Sequence, residues 1–183
     1  MAEHILGNHA LRLGLRLISG LAEDDMRKLV ALRGCGYDSV RDVWLRTGLS
    51  TRALELLAGA DAFASLGLTR REALWAVQGL NRAGDKDDLP LLRPLSFRAT
   101  EPDADLPPMP PGEEVIEDYR RLKLSLRAHP VSFVRRDLDA KGIMRNSALS
   151  NARAGRVKVA GLVLVRQRPG TASGVVFMTL EDE

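Results

Sequence analysis

The sequence predicts a mainly α-helical protein with a small β part at the C-terminal end of the chain. Apolar residues make up 45% of the 183 residues but aromatic residues only 4%, so the core must consist of Leu, Val and Ala, which is typical of helix-rich proteins. Apolar residues recur at intervals of three and four along residues 10–82 and 113–141. Residues 156–183 instead alternate β-branched and other side chains around a Pro-Gly turn, which indicates a hairpin.

Composition excludes several classes of protein. Cys35 is the one cysteine, so the chain forms no internal disulfide framework or cysteine metal cluster, and a reducing cytoplasmic setting is expected. No apolar run reaches the roughly 18 residues of a membrane span. The start of the chain lacks the apolar core of a signal peptide. We therefore expect a cytoplasmic protein without a membrane partner.

Charge is distributed unevenly along the chain. Residues 87–118 hold two basic and nine acidic side chains, whereas residues 119–183 hold 13 basic and five acidic ones. A basic segment suggests a polyanionic partner such as nucleic acid. An Arg-rich surface that is simply solvated is the alternative at this point.

Residues 10–32 are predicted to form a helix, a tight hairpin and a second helix. They fit the register hxxhxGhGxxxAxxh, with Gly20, Leu21 and Ala22 at the hairpin. Hairpin glycines let the backbone approach a phosphate, and the second helix offers N–H groups and its positive dipole end to that anion. Arg27 and Lys28, one turn further on, would add phosphate contacts.

The motif departs from its pattern at two positions: Ala22 replaces the second glycine, and Met26 replaces a small residue. In addition, the carboxylates of residues 23–25 occupy the position that a phosphate would use. These carboxylates also stabilise the start of the helix. A purely structural helical hairpin therefore remains an alternative to a DNA contact.

A second, degenerate hairpin follows and completes a compact helical domain. Short helices are predicted over residues 39–46, with Trp44 inside, and over 51–57, with Ser50 as N-cap. Residues 59–61 repeat the hairpin spacing. Thr69 is predicted to cap a long helix over residues 70–82, whose core stripe comprises Leu74, Trp75, Val77 and Leu80.

Arg70 and Arg71 lie in the first turn of this long helix, where cations oppose the helix dipole. An anion nearby would account for that arrangement, so both are candidate phosphate contacts. Two solvated arginines are the alternative.

The order of these segments predicts four regions. They are a tandem helix-hairpin-helix domain (1–83), an acidic linker (84–112) with seven of the nine prolines, a helical connector (113–155) and a β region (156–183). The linker contains one apolar peptide, Leu89, Pro90, Leu91 and Leu92, which would either dock into a partner's pocket or pack back on the helical domain.

Within the connector, helices are predicted over residues 113–128 and 131–141, the second ended by Gly142. His129 is predicted to cap or pack rather than to catalyse, because no partner motif surrounds it.

The β region is predicted to be a hairpin with strands over residues 157–166 and 175–180. Regular alternation would place Val157, Val159, Val163 and Val165 on one face. Both faces are apolar in the middle, which favours a covered sheet.

No catalytic or metal site is visible in the sequence. It contains no Gly-rich phosphate loop with a following lysine, no HExxH and no GxSxG. The acidic groups at 137/139 and 181–183 lack a supporting constellation, so we expect them to be solvated rather than metal-binding.

Four segments together resemble a known assembly: RLGLRLISGLAEDDMRKLVALR, ALELLAGADAFASLGLTRREALWAV, GEEVIEDYRRLKLSLRAHPVSFVRRDL and VKVAGLVLVRQRPGTASGVVFMTLEDE. In this order they are similar to the C-terminal half of a bacterial C-family DNA polymerase, of the polymerase III α-subunit type and its error-prone branch. The resemblance covers nearly the whole chain.

The resemblance implies functions for each region. The hairpin domain would bind duplex DNA behind the active site, and the β hairpin would be the first two strands of a truncated OB-fold that handles single-stranded template. The candidate DNA contacts in this hairpin are Lys158, Arg166, Arg168 and Phe177, although Phe177 would equally suit a core.

The resemblance also implies partners and chemistry. Residues 88–92 match only the leucines of a sliding-clamp peptide, so the clamp and other mutagenesis proteins are possible partners rather than expected ones. The parent polymerase would use Mg²⁺ and carries its catalytic aspartates upstream, so we expect no cofactor in this chain.

The main hypothesis is a DNA-binding segment of an error-prone, translesion polymerase. A stand-alone nucleic-acid-binding protein and an interaction module that recruits mutagenesis factors are the alternatives.

Overall fold

A computed structural model describes residues 13–82, 105–171 and 174–183. About half of these residues are helical, and the strands form one two-stranded antiparallel sheet, which confirms the predicted fold class. The α-helices are α1 (Glu23–Ala31), α2 (Val40–Thr47), α3 (Thr51–Gly59), α4 (Arg70–Arg82), α5 (Pro111–Leu122) and α6 (Arg135–Ala140). The 3₁₀ helices are Leu15–Leu17, Ala64–Leu66, Pro130–Val134 and Asn146–Asn151, and the strands are β1 (Leu162–Gln167) and β2 (Phe177–Glu181).

The described residues divide into two compact units. Unit 1 comprises residues 13–82 and 105–109 together with 120–122, the last turn of α5. Unit 2 comprises residues 110–119, 123–171 and 174–183. The apolar peptide at 89–92 and most of the predicted linker lie outside the described residues, so their predictions stay untested.

Local capping explains where the helices of unit 1 begin. The Ser39 hydroxyl accepts a hydrogen bond from the Asp42 amide (3.0 Å), and the Ser50 hydroxyl accepts one from the Ala53 amide (3.2 Å). Both serines satisfy amides that have no partner within the helix. The expected cap at Ser50 is thereby confirmed.

The start of α4 is held by a reciprocal capping box. The Thr69 hydroxyl accepts a hydrogen bond from the Glu72 amide (3.3 Å), and the Glu72 carboxylate accepts one from the Thr69 amide (2.6 Å). The sequence-based cap at Thr69 is therefore confirmed, with Glu72 as its second half.

The core of unit 1 lies between α2, α3 and α4. Leu54, Ala58 and Val77 are fully buried. Trp44 packs against this core as predicted, but Trp75 is 47% exposed, so its assignment to the core stripe is wrong. The buried positions of α4 are Arg70, Ala73, Val77 and Leu80, whose spacing of three and four places Trp75 off this stripe.

Helix α5 is shorter than the sequence predicts. The helix ends at Leu122 because Lys123 adopts a left-handed conformation, with φ of 65°. Ser125 then donates a hydrogen bond back to the Asp118 carboxylate (2.8 Å), so the chain folds back on the helix instead of extending it. The expected helical turn over residues 123–128 is wrong, and Leu126 is 77% exposed.

The segment after α5 is helical in two pieces. Residues 130–134 form a 3₁₀ helix and α6 follows, whereas the sequence predicted one helix over 131–141. His129 caps the first piece by accepting a hydrogen bond from the Val131 amide on Nδ1 (3.2 Å), as its capping role predicted. Gly142, with φ of 67°, stops the second.

Strands β1 and β2 pair antiparallel, which confirms the predicted hairpin. The predicted strand bounds are wrong, because β1 begins at Leu162 instead of residue 157 and β2 begins at Phe177 instead of residue 175. The pairing is interrupted by a bulge, because Val163 lies opposite Leu180 but Val165 lies opposite Thr179. Leu180 and Thr179 are neighbours and point to opposite faces, so Val163 and Val165 do too. The expected common face for the two valines is therefore wrong.

The backbone at Gly161, directly before β1, lies close to the backbone at the end of β2. A Cβ atom on Gly161 would lie 2.6 Å from the carbonyl oxygen of Glu181. Glycine is thus required here by the close backbone approach.

No helix that the structure describes is both long and apolar enough to cross a membrane.

Candidate nucleic-acid interface

The first candidate surface is the turn before α1. Gly20 is exposed and left-handed, with φ of 84°, so this conformation favours glycine. A Cβ atom here would meet Leu56 at 3.7 Å, which is ordinary contact, so the backbone angle and not lack of space selects glycine. The neighbouring Ile18 is buried, and the Ser19 amide donates to the Arg121 carbonyl (2.9 Å). These contacts fix the turn within unit 1.

The start of α1 combines amide donors with acidic side chains. Its N-cap is Ala22, whose methyl group cannot cap the first-turn amides as a serine would. The first turn carries Glu23, Asp24 and Asp25. The helix end therefore keeps its amide donors, but any anion there meets three carboxylates.

Arg27 and Lys28 are exposed and lie on α1, one turn after the hairpin. Arg27 pairs with Glu23 at 2.8 Å, and Lys28 pairs with Asp25 at 3.5 Å. The Arg27 and Glu23 side chains are 73% and 79% exposed. Pairs of this exposure contribute only about 0–1 kcal/mol each. Either cation would therefore exchange its carboxylate for a phosphate at little cost.

Arg70 and Arg71 differ sharply in exposure. Arg70 is 1% exposed, because it lies on the same stripe of α4 as Ala73 and Val77, so the expected phosphate contact at Arg70 is wrong for this conformation. Arg71 is half-buried and donates to the Pro107 carbonyl (2.8 Å). Its guanidinium thus already donates a hydrogen bond to the chain's own backbone. A phosphate bound by Arg71 would have to use the other N–H groups of the guanidinium or replace this bond.

Arg46 was not singled out from the sequence, yet it organises the loop that joins α1 to α2. Its guanidinium donates to the carbonyl groups of Leu32, Arg33 and Gly36 and lies over the Tyr37 ring, 4.4 Å from the centroid. The Tyr37 hydroxyl in turn donates to the Leu29 carbonyl (2.7 Å), and burial raises the pKa of Tyr37. This loop connects the candidate hairpin to the core.

The second candidate surface is the β hairpin of unit 2. Lys158, Arg166 and Arg168 are all exposed. Phe177 is 53% exposed, so its alternative role as a core residue does not apply to the described structure. In the pairing, Gln167 lies opposite Phe177 and Arg166 lies opposite Met178, so Arg166 and Phe177 both lie near the tip but point to opposite faces of the hairpin. Arg168 follows β1 at the same tip. Lys158 lies before β1, towards the base.

A cluster at the base of this hairpin was missed by sequence reasoning. The expectation that residues 181–183 are solvated is wrong for two of them: the Asp182 and Glu183 side chains are only 9% and 18% exposed. Both face Arg135, whose side chain is 7% exposed. No periodic pattern links residues so far apart, so the sequence offered no signal for this contact.

The described residues contain no group of three His, Cys, Asp or Glu side chains placed to hold a metal ion. The candidate DNA contacts described above form two separate sets. One set follows the turn and first helix of unit 1, and the other lies on the hairpin of unit 2.

Comparison with known proteins gives a consistent result. A family model described as a helix-hairpin-helix motif matches residues 1–73. The whole chain is 56% identical to "Error-prone DNA polymerase 1" of Rhizobium meliloti (strain 1021) and covers 17% of that protein. It is 57% identical to "Error-prone DNA polymerase" of Sinorhizobium medicae (strain WSM419), with the same coverage of both chains. For "Error-prone DNA polymerase" of Caulobacter vibrioides, the identity is 50% over 95% of this chain and 16% of the relative. The chain thus spans about one sixth of the length of these relatives.

Proposed function

We propose, on the premise that the chain is homologous over its whole length to a segment of the error-prone DNA polymerases, that it binds DNA during error-prone synthesis. In this proposal unit 1 grips product duplex, and the hairpin of unit 2 holds single-stranded template, in the cytoplasm and during damage-induced mutagenesis. The observation that carries the proposal is the 56% identity along the entire chain.

The turn at Gly20 supports the duplex contact on physical grounds. Its left-handed glycine exposes backbone beside the amide donors of α1, which is the geometry that suits a phosphate. The three carboxylates of the first turn oppose this binding. Arg27 and Lys28 supply the positive charge that would offset them, because their surface pairs are weak.

The tip of the hairpin supports a contact with single-stranded DNA. It combines exposed Arg166 and Arg168 with an exposed aromatic ring at Phe177. A base stacked on such a ring contributes about 1–3 kcal/mol, and cations at the same tip attract the phosphate backbone. The same three residues would serve poorly in a protein core, since two of them are charged.

Nucleotidyl transfer is not assigned to residues of this chain. In such polymerases Mg²⁺ supplies charge stabilisation to the transferring phosphate. The described carboxylates do not converge on a metal position, so they are given no part in holding Mg²⁺. A sliding clamp or other mutagenesis proteins are further proposed partners, through residues 89–92.

A salt titration of DNA binding tests the proposal. The full chain is mixed with a fluorescent primer–template that carries both duplex and single strand, and anisotropy gives the binding constant at several NaCl concentrations. Each phosphate contact should add about 0.7–0.9 to the slope of log K against log salt. We expect a steep negative slope.

A double variant locates the duplex contact. Arg27→Ala with Lys28→Ala should weaken binding modestly and lower the magnitude of the slope by roughly 1–2. The control, Arg136→Ala with Lys141→Ala, removes the same charge from exposed positions outside both candidate surfaces. Equal slopes for the two double variants would exclude the α1 contact.

The outcome also separates the alternatives. Undetectable or salt-independent binding by the unmodified chain would favour a protein-interaction module. Tight binding with no preference for primer–template over plain duplex or single strand would favour a stand-alone nucleic-acid-binding protein.

A further inference from the structure

The β hairpin is joined to the rest of unit 2 by a polar cluster at its base. Asp182, directly after β2, accepts a hydrogen bond from the Asn146 amide at 2.5 Å and lies 3.8 Å from Arg135 Nη2. Glu183 accepts a hydrogen bond from Arg135 Nε at 2.5 Å and lies 3.4 Å from Arg145 Nη2. Glu181, the last residue of β2, approaches His129 Nε2 at 3.8 Å.

Apolar packing contributes less than this polar cluster to the attachment of the hairpin. Large apolar side chains on both faces of the hairpin are 38–53% exposed: Val163, Leu164, Val165, Phe177, Met178 and Leu180. Side chains exposed to this extent gain only part of the free energy of full burial. The polar cluster therefore has a larger share in holding the hairpin than it would in a well-packed domain.

Arg135 is the centre of the cluster. Its side chain is 7% exposed, and the carboxylates of Asp139, Asp182 and Glu183 surround it at 2.5–3.8 Å. The hydrogen bond to Glu183 raises the pKa of the guanidinium further above its ordinary value. An arginine side chain is charged at every physiological pH even at that ordinary value. A buried charge is costly without its partners. Removing the Asp182 or Glu183 carboxylate would therefore leave the buried Arg135 charge with fewer partners. Removing the Arg135 guanidinium would likewise leave these two carboxylates without their buried cation.

We infer that Arg135 is a positioning residue: it clamps the base of the β hairpin and thereby orients the basic tip for DNA. The purpose of the clamp rests on the proposed function, whereas the clamp itself rests on the contacts above. Strand β2 leads from Phe177 near the tip to Glu181 at the base, a length of roughly 14 Å at about 3.4 Å per residue. A small rotation at the base therefore moves Arg166 and Arg168 further than it moves the residues of the clamp.

The first test measures the clamp without DNA. Hydrogen–deuterium exchange is followed for the amides of β1 and β2 in the full chain carrying Arg135→Gln. Exchange in the hairpin should rise by about tenfold or more, while exchange in unit 1 stays unchanged. Arg136→Gln is the matched control, because Arg136 is the exposed neighbour with the same charge.

A second variant distinguishes loss of the clamp from general misfolding of the Arg135→Gln chain. Glu183→Gln removes one carboxylate from the side of the hairpin and leaves Arg135 with Asp139 and Asp182. It should raise hairpin exchange less than Arg135→Gln does. Arg135→Lys keeps the charge without the fork of donors and should restore part of the protection. Unchanged hairpin exchange in both Arg135→Gln and Glu183→Gln would overturn the clamp.

The second test measures DNA binding by the same variants at one salt concentration. Arg135→Gln should weaken binding to single-stranded DNA about fivefold or more relative to Arg136→Gln. Faster exchange with equal affinity for the two variants would overturn the positioning role and leave the proposed function standing. If the unmodified chain fails to bind DNA, the proposed function and the purpose of the clamp both fall, while exchange still decides whether the clamp exists.

Discussion

Leu54 and Val77 of unit 1 are fully buried, whereas Val163 and Met178 of the β hairpin are 50% and 51% exposed. Similar apolar side chains thus serve different purposes in the two regions. In unit 1 they fill a core between three helices, and hydrophobic burial sets the stability. In the hairpin they stay half-exposed on the two faces of the sheet. The hairpin is held instead by strand pairing and by ion pairs at its base. The two regions should therefore respond to different perturbations.

A core truncation gives the largest expected contrast. Leu54→Ala removes a fully buried side chain and should lower the free energy of unfolding of unit 1 by about 2–5 kcal/mol. Val163→Ala, at a half-exposed position, should cost less than about 1 kcal/mol. Urea unfolding followed by circular dichroism measures both. Equal costs would show that the hairpin is as well packed as the helical core.

A backbone clash in the β hairpin should produce the next largest loss of stability. Gly161→Ala would place a Cβ atom 2.6 Å from the Glu181 carbonyl oxygen, so the strands must separate there. We expect a cost of about 1–3 kcal/mol, seen as faster amide exchange in β1 and β2 only. Gly170→Ala is the control, because nothing lies within 4 Å of its Cβ position. Unchanged exchange for Gly161→Ala would contradict the close approach.

Loss of a helix cap should have a smaller effect, within unit 1. Thr69→Ala removes the hydroxyl that accepts from the Glu72 amide and should destabilise unit 1 by about 1 kcal/mol. Ser65→Ala, at an exposed position before the helix, should change stability by less than about 0.5 kcal/mol. Thermal unfolding of both variants, with hairpin exchange as a readout for unit 2, checks that the loss stays local.

Alkaline pH should produce the smallest effect and should act on unit 1. Burial raises the pKa of Tyr37 above its ordinary value of about 10, so the folded state favours the protonated phenol. Its contribution to stability is complete below pH 10 and is lost as the pH rises through the folded pKa. Tyr37→Phe should make this loss smaller, while Tyr119→Phe should keep it. Urea unfolding at pH 9 and 11 compares the three chains, and an unchanged pH dependence in Tyr37→Phe would exclude this source.

Local patterns in the sequence predicted those features that depend on neighbouring residues. Ser50 and Thr69 cap their helices because a hydroxyl reaches an amide only three residues away. His129 and Gly142 delimit the helices after α5 for equally local reasons. Regular alternation likewise predicted that residues 156–183 form a hairpin. The resemblance to error-prone polymerases also rested on short motifs and their order, and the 56% identity along this chain to one such polymerase supports it.

Other candidate contacts could have been judged better from the same sequence. Arg70 shares its helical stripe with Ala73, Val77 and Leu80, so the spacing alone argued that its side chain points inward. Its charge and its place in the first turn suggested a phosphate contact instead. Trp75 lies off the stripe and is exposed for the same geometric reason.

By itself, the sequence determined the helical fold class, the main helix starts and the existence of the terminal hairpin, because these follow from hydrogen bonds and periodicities within a few residues. Only the tertiary structure decided the bulge that separates Val163 from Val165, since strand register depends on the partner strand. It alone also revealed the clamp, in which Arg135 meets Glu183 from 48 residues away. Contacts of this kind arise when distant segments fold together, and no local pattern records them.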